Sequence, residues 1–307
     1  MKNENAEQLL KRLEWRVLRR LDGLLHGDYR TLFRGAGIDL ADLREYQTHD
    51  DVRHIDWNVS ARMGTPYVRE FLEDRDLTAW FLVDVSASMM FGSGERTKHD
   101  CVVEFVTALA SCLSGRGNRV GALLFDRDVE AWLPARSGRT HVLQLAKKLL
   151  VHNKKASDAN TDLSLFLNRS AQAVKRRSLV FVISDFVSAT PWDKALARLA
   201  QRHEVIAVRP LDPLESALPN LGMVFMTDPE TGEQLWVDTS SAGFRSRFDA
   251  LAQAADARIQ HGFAHAGVDA IELSTEEDVL ATLTRFALLR KRRFGGNVRN
   301  QPMGAAA

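Results

Sequence analysis

The sequence predicts an α/β fold built on a doubly wound, mostly parallel sheet. From residue 77 onward, short apolar runs alternate with longer amphipathic segments, and this alternation is typical of strands joined by crossover helices. Two runs, at residues 77–84 and 178–184, are apolar through their centres, as expected for strands that helices cover on both faces of a sheet. An N-terminal region of mixed character precedes this pattern, and a hairpin and a helix are inserted before its last strand.

The other elements of the α/β pattern follow from the same periodicities. Further strands are expected at residues 119–125, 129–133, 203–209 and 268–273. Helices are expected near residues 98–114, 139–151, 162–176, 191–202 and 276–291. The polar run Asp126-Arg127-Asp128 separates two of the strands, which predicts an antiparallel hairpin within the otherwise parallel sheet.

The insertion contains a second hairpin. Residues 223–227 and 234–237 are strand-like, and the run between them is rich in turn-forming residues. A helix at about residues 241–261 completes the insertion, which occupies about residues 210–262. The resulting boundaries are 1–75 for an N-terminal α+β extension packed on the core, 76–293 for the α/β domain with its insertion, and 294–307 for a disordered tail.

Composition narrows the function classes. The chain has 307 residues, of which 45% are hydrophobic, and its formal net charge of +1 provides no general attraction to nucleic acid. Cys101 and Cys112 fall in one predicted helix, about 16 Å apart along its axis, so they cannot form a disulfide with each other. No apolar run is long enough to span a membrane, and no signal-peptide core follows Met1, so we expect a cytoplasmic protein.

Oxygen-bearing side chains follow the first buried strand at alternate positions. Asp84 ends that strand, and Ser86 and Ser88 come after it. Asp185 follows the second buried strand, and the carboxyl ends of parallel strands meet at one edge of a sheet, where ligands bind. Carboxylate and hydroxyl oxygens suit a hard cation such as magnesium or manganese. The alternative is that these side chains cap the following helices, since Ser and Asp are favoured at helix N-termini.

These residues resemble the metal-ion-dependent adhesion site of the von Willebrand factor type A fold. The resemblance adds Thr161, which lies in a polar turn between the two buried strands. It implies a Mg²⁺ or Mn²⁺ site formed by Asp84, Ser86, Ser88, Thr161 and Asp185. Because the hydroxyl ligands are neutral, the cation keeps uncompensated positive charge, and a carboxylate of a partner protein could fill its open coordination position.

A second resemblance covers residues 27–293. The strings at residues 33–37, 44–46 and 50–57 are similar to the signature of the bacterial family called domain of unknown function fifty-eight. The most specific of them reads Asp-Asp-Val-Arg-His-Ile-Asp-Trp. Members of that family are encoded beside MoxR-type AAA+ ATPases, so the resemblance implies such an ATPase, or a client protein delivered to it, as the partner.

Two features of the N-terminal region have alternative interpretations. Residues 5–25 predict a basic amphipathic helix, which could lie on a membrane but is more commonly docked on its own domain. Charged residues of both signs then cluster, and a hydrogen-bonded ion network is favoured over a recognition surface because buried charges are usually paired. The residues of this cluster are Asp50, Asp51, Arg53, Asp56 and Arg62.

The sequence predicts a metal-dependent protein-interaction module, an adaptor or co-chaperone for a MoxR-type ATPase, and not an enzyme. The enzyme hypothesis makes Asp84 a phosphoryl-accepting nucleophile, as in haloacid-dehalogenase-like phosphatases. Those enzymes place a general acid two residues later, where this chain has Ser86, which cannot protonate a leaving group at neutral pH. Attachment to membrane or nucleic acid through Arg285 and residues 290–293 is disfavoured, since cations are ordinary near a helix C-terminus.

Overall fold

The computed structural model describes residues 6–20, 43–47, 52, 55–69, 77–115, 117–151, 162–188, 190–227 and 232–295. The strands are β1 (Leu43–Glu45), β2 (Tyr67–Arg69), β3 (Thr78–Asp84), β4 (Arg119–Phe125), β5 (Val129–Arg136), β6 (Leu179–Ile183), β7 (Glu204–Leu211), β8 (Met223–Thr227), β9 (Gln234–Asp238) and β10 (Asp269–Ser274). The helices are α1 (Ala6–Arg20), α2 (Trp57–Met63), α3 (Lys98–Ser114), α4 (Arg139–Val151), α5 (Leu163–Ala173), α6 (Asp193–Arg202), α7 (Pro213–Ser216), α8 (Ala242–Ala266) and α9 (Val279–Gly295).

Over the described residues, the central sheet has six strands in the order β10-β7-β6-β3-β4-β5. Neighbouring strands are parallel except β4 and β5, which form the antiparallel hairpin expected from the sequence. Strands β3 and β6 lie side by side in the centre and are buried along nearly their whole length, because their side chains are apolar on both faces. The predicted α/β fold class with a mostly parallel sheet is therefore confirmed.

Helices cover both faces of the sheet and form two apolar clusters. On one face, α1, α3, α4 and α9 pack around a stacked pair of rings, Phe81 and Phe181, whose centroids are 5.3 Å apart. On the other face, α5, α6 and α8 enclose an aromatic group in which Phe186 and Phe263 are 4.7 Å apart. The order of strands and the two helical layers bring the carboxyl ends of β3 and β6 together at one edge of the core.

The N-terminal region is tied to the core through α1. Its Leu9, Leu10 and Leu13 are fully buried, and the helix packs on α3 and α4. Farther along, β1 pairs with β2 in an antiparallel ribbon, and Asp56 caps α2 by accepting hydrogen bonds from two backbone N–H groups. Of the charged cluster considered in the sequence, Asp50, Asp51 and Arg53 lie outside the described residues.

The insertion projects an exposed hairpin. Strands β8 and β9 are antiparallel, with Phe225 opposite Trp236 and their ring centroids 5.1 Å apart. Trp236 is 64% exposed and Val237 is buried, but Leu235, on the same face as Val237, is exposed, so most of the hairpin faces solvent. Helix α8 follows and continues to Ala266, past its predicted end, because Gly267 in the left-handed conformation (φ 66°) terminates it.

The C-terminal helix departs from the sequence expectation in two respects. It runs to Gly295, so Phe294 and Gly295 are helical, and the rest of the expected tail lies outside the described residues. Arg290 is buried and forms ion pairs with Glu204 and with Asp269, the latter at 3.7 Å, whereas a solvated cation was expected. No helix in the described part of the chain combines the length and apolar character that crossing a bilayer requires.

Candidate metal site

The candidate site lies where β3 ends beside β6. The register pairs Val83 with Ile183, so the next residues, Asp84 and Ser184, leave the two strands side by side. The Ser184 hydroxyl donates a hydrogen bond of 2.7 Å to Oδ2 of Asp84. Asp84 is only 3% exposed. A carboxylate is thus held at the carboxyl edge of the two central strands, as the sequence predicted.

The loop after β3 brings two hydroxyl groups to this carboxylate. The backbone N–H of Ser86 donates to Oδ1 of Asp84 over 2.9 Å, which turns the chain back immediately after the strand. One 3₁₀ turn, Ala87–Met90, follows, and the Oγ atoms of Ser86 and Ser88 lie 3.1 Å apart. Ser86 is buried and Ser88 half-buried. Asp84, Ser86 and Ser88, which stand at alternate positions in the sequence, therefore bring their side-chain oxygens close together in the folded chain.

Asp185 is the second carboxylate at this edge. Its Oδ1 accepts a hydrogen bond from the Val187 N–H at 3.1 Å, and its Oδ2 accepts one from Nζ of Lys98 at 3.2 Å. The same Nζ donates to Oε1 of Glu215 at 2.7 Å, so one ammonium group bridges two carboxylates. Lys98 is 1% exposed although it opens α3, and the hydrogen-bonded carboxylates are what make this burial tolerable.

The surroundings of Asp84 disfavour its charged form. Burial, and then repulsion by the Asp185 carboxylate, raise the pKa of Asp84 to about 7 against the opposing effect of its hydrogen bonds. Burial opposes the charge of Lys98, but Asp185 and Glu215 outweigh it and raise the pKa of the ammonium group. A divalent cation beside Asp84 would relieve the repulsion between the carboxylates. The oxygen donors present therefore fit a hard cation.

The Lys98 bridge connects this edge to the start of the insertion. Glu215 belongs to α7, whose capping box pairs the Asp212 side chain with a backbone N–H of the helix and Glu215 with the Asp212 N–H. Asp212 is fully buried and also accepts hydrogen bonds from the Ser93 N–H at 2.9 Å and the Thr275 hydroxyl at 2.7 Å. The loop that leads to the exposed hairpin is thereby fixed against the loop that follows β3.

The capping alternative does not account for these side chains. Ser86 precedes the 3₁₀ turn without a side-chain capping bond, and α6 has Trp192 at its N-cap position instead of Asp185. Capping is instead the role of Asp162, next to Thr161. Hydrogen bonds from the Leu165 N–H and then the Thr190 hydroxyl lower the pKa of Asp162. Thr161 itself lies outside the described residues.

Sequence reasoning missed three residues at this edge. Ser184 could have been recognised, because the residue before Asp185 must lie beside Asp84 once β3 and β6 are adjacent. Lys98 and Glu215 gave no such signal. No cluster of three or more His, Cys, Asp or Glu side chains suited to a metal occurs among the described residues, so hydroxyl oxygens would have to complete this site.

The chain is similar to a protein of known sequence and, more distantly, to several solved structures. An uncharacterized protein of Mycobacterium tuberculosis is 35% identical over 285 residues, which cover 92% of this chain and 89% of the relative. Among solved structures, an aerotolerance-related membrane protein from Bacteroides fragilis aligns with a TM-score of 0.49 and 13% identity, over 71% of this chain and 99% of that one. The SpRpn10 VWA domain aligns with a TM-score of 0.39 and 12% identity, over 75% and 99%.

A family model supplies the assignment. The model described as "Protein of unknown function DUF58" matches residues 42–258. This range contains the strands and loops that carry Asp84, Ser86, Ser88 and Asp185. Together with the extent of the mycobacterial match, it confirms the family that the sequence strings indicated. The chain belongs to the DUF58 protein family.

Proposed function

We propose that this protein is a protein-interaction module in which a divalent cation links it to a carboxylate of its partner. One observation carries the proposal: the side chains of Asp84, Ser86 and Ser88 gather at the carboxyl edge of the sheet, close enough to Asp185 for the two carboxylates to repel each other. Such repulsion destabilises the protein by itself, and a bound cation would turn it into an attractive interaction.

Each residue of the edge has a distinct part in this proposal. Asp84 and Asp185 would supply the negative charge that holds Mg²⁺ or Mn²⁺, and Ser86 and Ser88 would supply neutral oxygens. Thr161, which the resemblance adds to the set, would be a further hydroxyl ligand. When bound, the cation supplies positive charge that these ligands leave partly uncompensated, which favours an acidic side chain from outside. Of the described candidate ligands, Asp84, Ser86 and Asp185 are buried and Ser88 is half-buried, so a partner would approach from the side of Ser88.

The partner we propose is a MoxR-type AAA+ ATPase, or a client protein delivered to it, in the cytoplasm. Two facts support this choice: membership of the DUF58 family, for which the sequence resemblance implies such an ATPase as a frequent genetic neighbour, and the preference of the edge for an acidic ligand. The protein would then act as an adaptor or co-chaperone, and its own contribution would be recognition without chemical turnover.

The test is whether the complex depends on the cation. In a pull-down with a MoxR-type AAA+ ATPase from the same organism, we expect EDTA to weaken binding at least about tenfold and added Mg²⁺ to restore it. Asp84→Ala should have the same effect as EDTA. Thr161→Ala should weaken binding less, because a neutral hydroxyl contributes less than a carboxylate to holding the ion.

A matched control tests whether the loss of any carboxylate weakens the complex as the loss of Asp84 does. Glu272 is an exposed carboxylate on β10, the strand at the margin of the sheet, and Glu272→Ala should leave the complex unchanged. A complex that forms equally well in EDTA and with Asp84→Ala would show that recognition lies elsewhere.

We also expect the isolated protein to lack phosphatase and nucleotide-hydrolysing activity. The position where a phosphatase of the Asp84 type needs its general acid is Ser86, whose hydroxyl lies 3.1 Å from that of Ser88. Hydrolysis of p-nitrophenyl phosphate and of ATP should stay at background with Mg²⁺ or Mn²⁺ present. Turnover that disappears with Asp84→Asn would favour the enzyme hypothesis instead.

A further inference from the structure

The insertion hairpin carries a largely uncovered apolar face. Among the described residues, strands β8 and β9 pair only with each other. Phe225 lies opposite Trp236 with their ring centroids 5.1 Å apart, and Met223, two residues before Phe225, is on the same side of the ribbon. Met223 is 61% exposed, Phe225 49% and Trp236 64%. We call the surface formed by these three side chains the hairpin face.

The opposite side of the hairpin is covered at its base. Val237 is buried, and Val224, its pairing partner, is half-buried, so the hairpin is seated on the protein through that side. The Thr239 hydroxyl accepts a hydrogen bond from the Leu221 N–H at 2.9 Å and donates one to the Gly222 carbonyl oxygen at 2.7 Å, which ties the base together. The hairpin face therefore points away from the residues that bury Val237.

The composition and size of the hairpin face suit a weak protein interface. Trp, Phe and Met are enriched at protein interfaces, and a two-stranded hairpin is only marginally stable in water by itself. At their exposed fractions, the three side chains leave roughly 350 Å² uncovered. With the polar residues at both ends, a stack of two such faces would bury about 1,000 to 1,200 Å² in total, the low end for specific complexes.

The polar residues at the ends of the hairpin face select how a second copy can stack on it. Thr227 and Gln234 lie on the same side, toward the connecting turn, and Asp238 lies at the base. Asp238 is the only charged residue in the two strands. An antiparallel stack places the Gln234 amide against the second copy's Asp238 and keeps the two aspartates apart, whereas a parallel stack brings them together. The surface is thus self-complementary about a two-fold axis.

A membrane surface suits the hairpin less well. The turn that joins the two strands contains Asp228, Glu230 and Glu233, so the end of the hairpin is acidic. Anionic lipid headgroups attract basic segments and repel acidic ones. In an antiparallel stack of two copies, by contrast, the two acidic turns lie at opposite ends.

We propose that the protein forms a weak homodimer in which the hairpin faces of two copies stack antiparallel, with Phe225 and Trp236 of each copy at the centre. Each dimer carries two copies of the candidate metal edge, so a partner with several acidic sites would be held more tightly than by a single copy. The dimer needs no cation, so its failure and the failure of the proposed function would be separate results.

Sedimentation velocity of the full chain in EDTA tests the proposal. Over concentrations of about 1 to about 200 µM, we expect a shift from monomer to dimer with a Kd on the order of 10 µM. Trp236→Gln and Phe225→Ser should each raise the Kd at least about tenfold, because each removes an aromatic ring from the centre of the interface. Both side chains are exposed, so the variants should fold, which circular dichroism checks.

A matched control and a pair of charge variants test the arrangement. Leu235 is 63% exposed on the opposite side of the hairpin, so Leu235→Gln should leave the Kd unchanged. At low ionic strength, Gln234→Lys should tighten the dimer and Gln234→Glu should weaken it, since the new charge faces the second copy's Asp238.

Three results would overturn the proposal. The first is a wild type that stays monomeric at every concentration. The second is a loss with Leu235→Gln as large as with Trp236→Gln, and the third is a Kd that does not respond to the sign of the charge at position 234. If the wild type is monomeric and Trp236→Gln weakens binding to the MoxR-type ATPase, the hairpin face docks that partner. If Trp236→Gln instead abolishes cosedimentation with phosphatidylcholine vesicles, the face binds lipid.

Discussion

Replacing Asp84 by asparagine is expected to stabilise the metal-free protein at pH 8 by about 2 to 4 kcal/mol. The pKa of Asp84 is raised to about 7 by burial and by Asp185, whereas the same carboxyl in the unfolded chain titrates near 4. Between about pH 4 and about pH 7 the folded state therefore binds more protons than the unfolded chain. The free energy of unfolding falls as the pH rises through that interval. Asparagine stays neutral and can still accept the Ser86 N–H bond.

Urea unfolding in EDTA at pH 5 and pH 8 measures this effect. The wild type should lose stability between the two pH values, and Asp84→Asn should lose less. With Mg²⁺ the order reverses, because the wild type gains stability by binding the ion and the variant does not. A variant that gains as much from Mg²⁺ as the wild type would show that Asp84 is not a ligand.

Asp212 is a control for Asp84, because it is a buried carboxylate whose pKa is shifted in the opposite direction. It is also buried, but hydrogen bonds from Ser93, Thr275 and Leu214 outweigh the effect of burial and lower its pKa. Its charged form is therefore the stable one in the folded protein, and this contribution is present above the unfolded pKa and declines as the pH falls below it. Asp212→Asn should destabilise the protein at pH 8 by about 1 to 3 kcal/mol, with or without Mg²⁺.

Replacing Lys98 by methionine should destabilise the metal-free protein by about 3 kcal/mol or more. Methionine fills a similar volume, but it leaves Asp185 and Glu215 without the ammonium group that accounts for their proximity. Removal of one partner from a buried ion pair costs more than the pair itself contributes, since a buried charge remains unpaired. Glu215 is partly exposed and can regain water, so Asp185 should account for most of the loss.

The same substitution should tighten Mg²⁺ binding by about tenfold, because a positive charge next to a ligand carboxylate is removed. Calorimetric titration measures this directly. Lys175→Met, at an exposed position, should change stability by less than about 0.5 kcal/mol and leave the metal affinity unaltered. Unchanged Mg²⁺ affinity in Lys98→Met would place the ion away from Asp185.

The parts of the structure that sequence predicted well are those governed by local pattern. Strands β3 and β6 are buried on both faces, so their apolar runs could be read without knowledge of their neighbours. Helix α3 begins at Lys98, as predicted, because Thr97 and Asp100 form a capping box there. The rule that ligands gather beyond the carboxyl ends of parallel strands then placed Asp84 and Asp185 at one edge.

The parts that sequence did not predict depend on distant contacts. Lys98 reaches Asp185 and Glu215 across separations of 87 and 117 residues. A lysine in the first turn of a helix usually extends into water, and nothing local distinguishes this one. Arg290 is a similar case, since its burial beside Glu204 depends on where α9 meets the first residue of β7. Ion pairs of this kind are tertiary properties, whereas caps and strands are largely local ones.

The burial of α1 has a consequence for the order of events during synthesis. Leu9, Leu10 and Leu13 pack against α3 and α4, and α4 is complete only at Val151. At typical ribosomal elongation rates, on the order of ten seconds pass between the emergence of α1 and that of α4. For that time the nascent chain carries an uncovered leucine face. The apolar surface of α1 is therefore synthesised before the helices that bury it. We expect α1 to be the segment that a cotranslational chaperone binds.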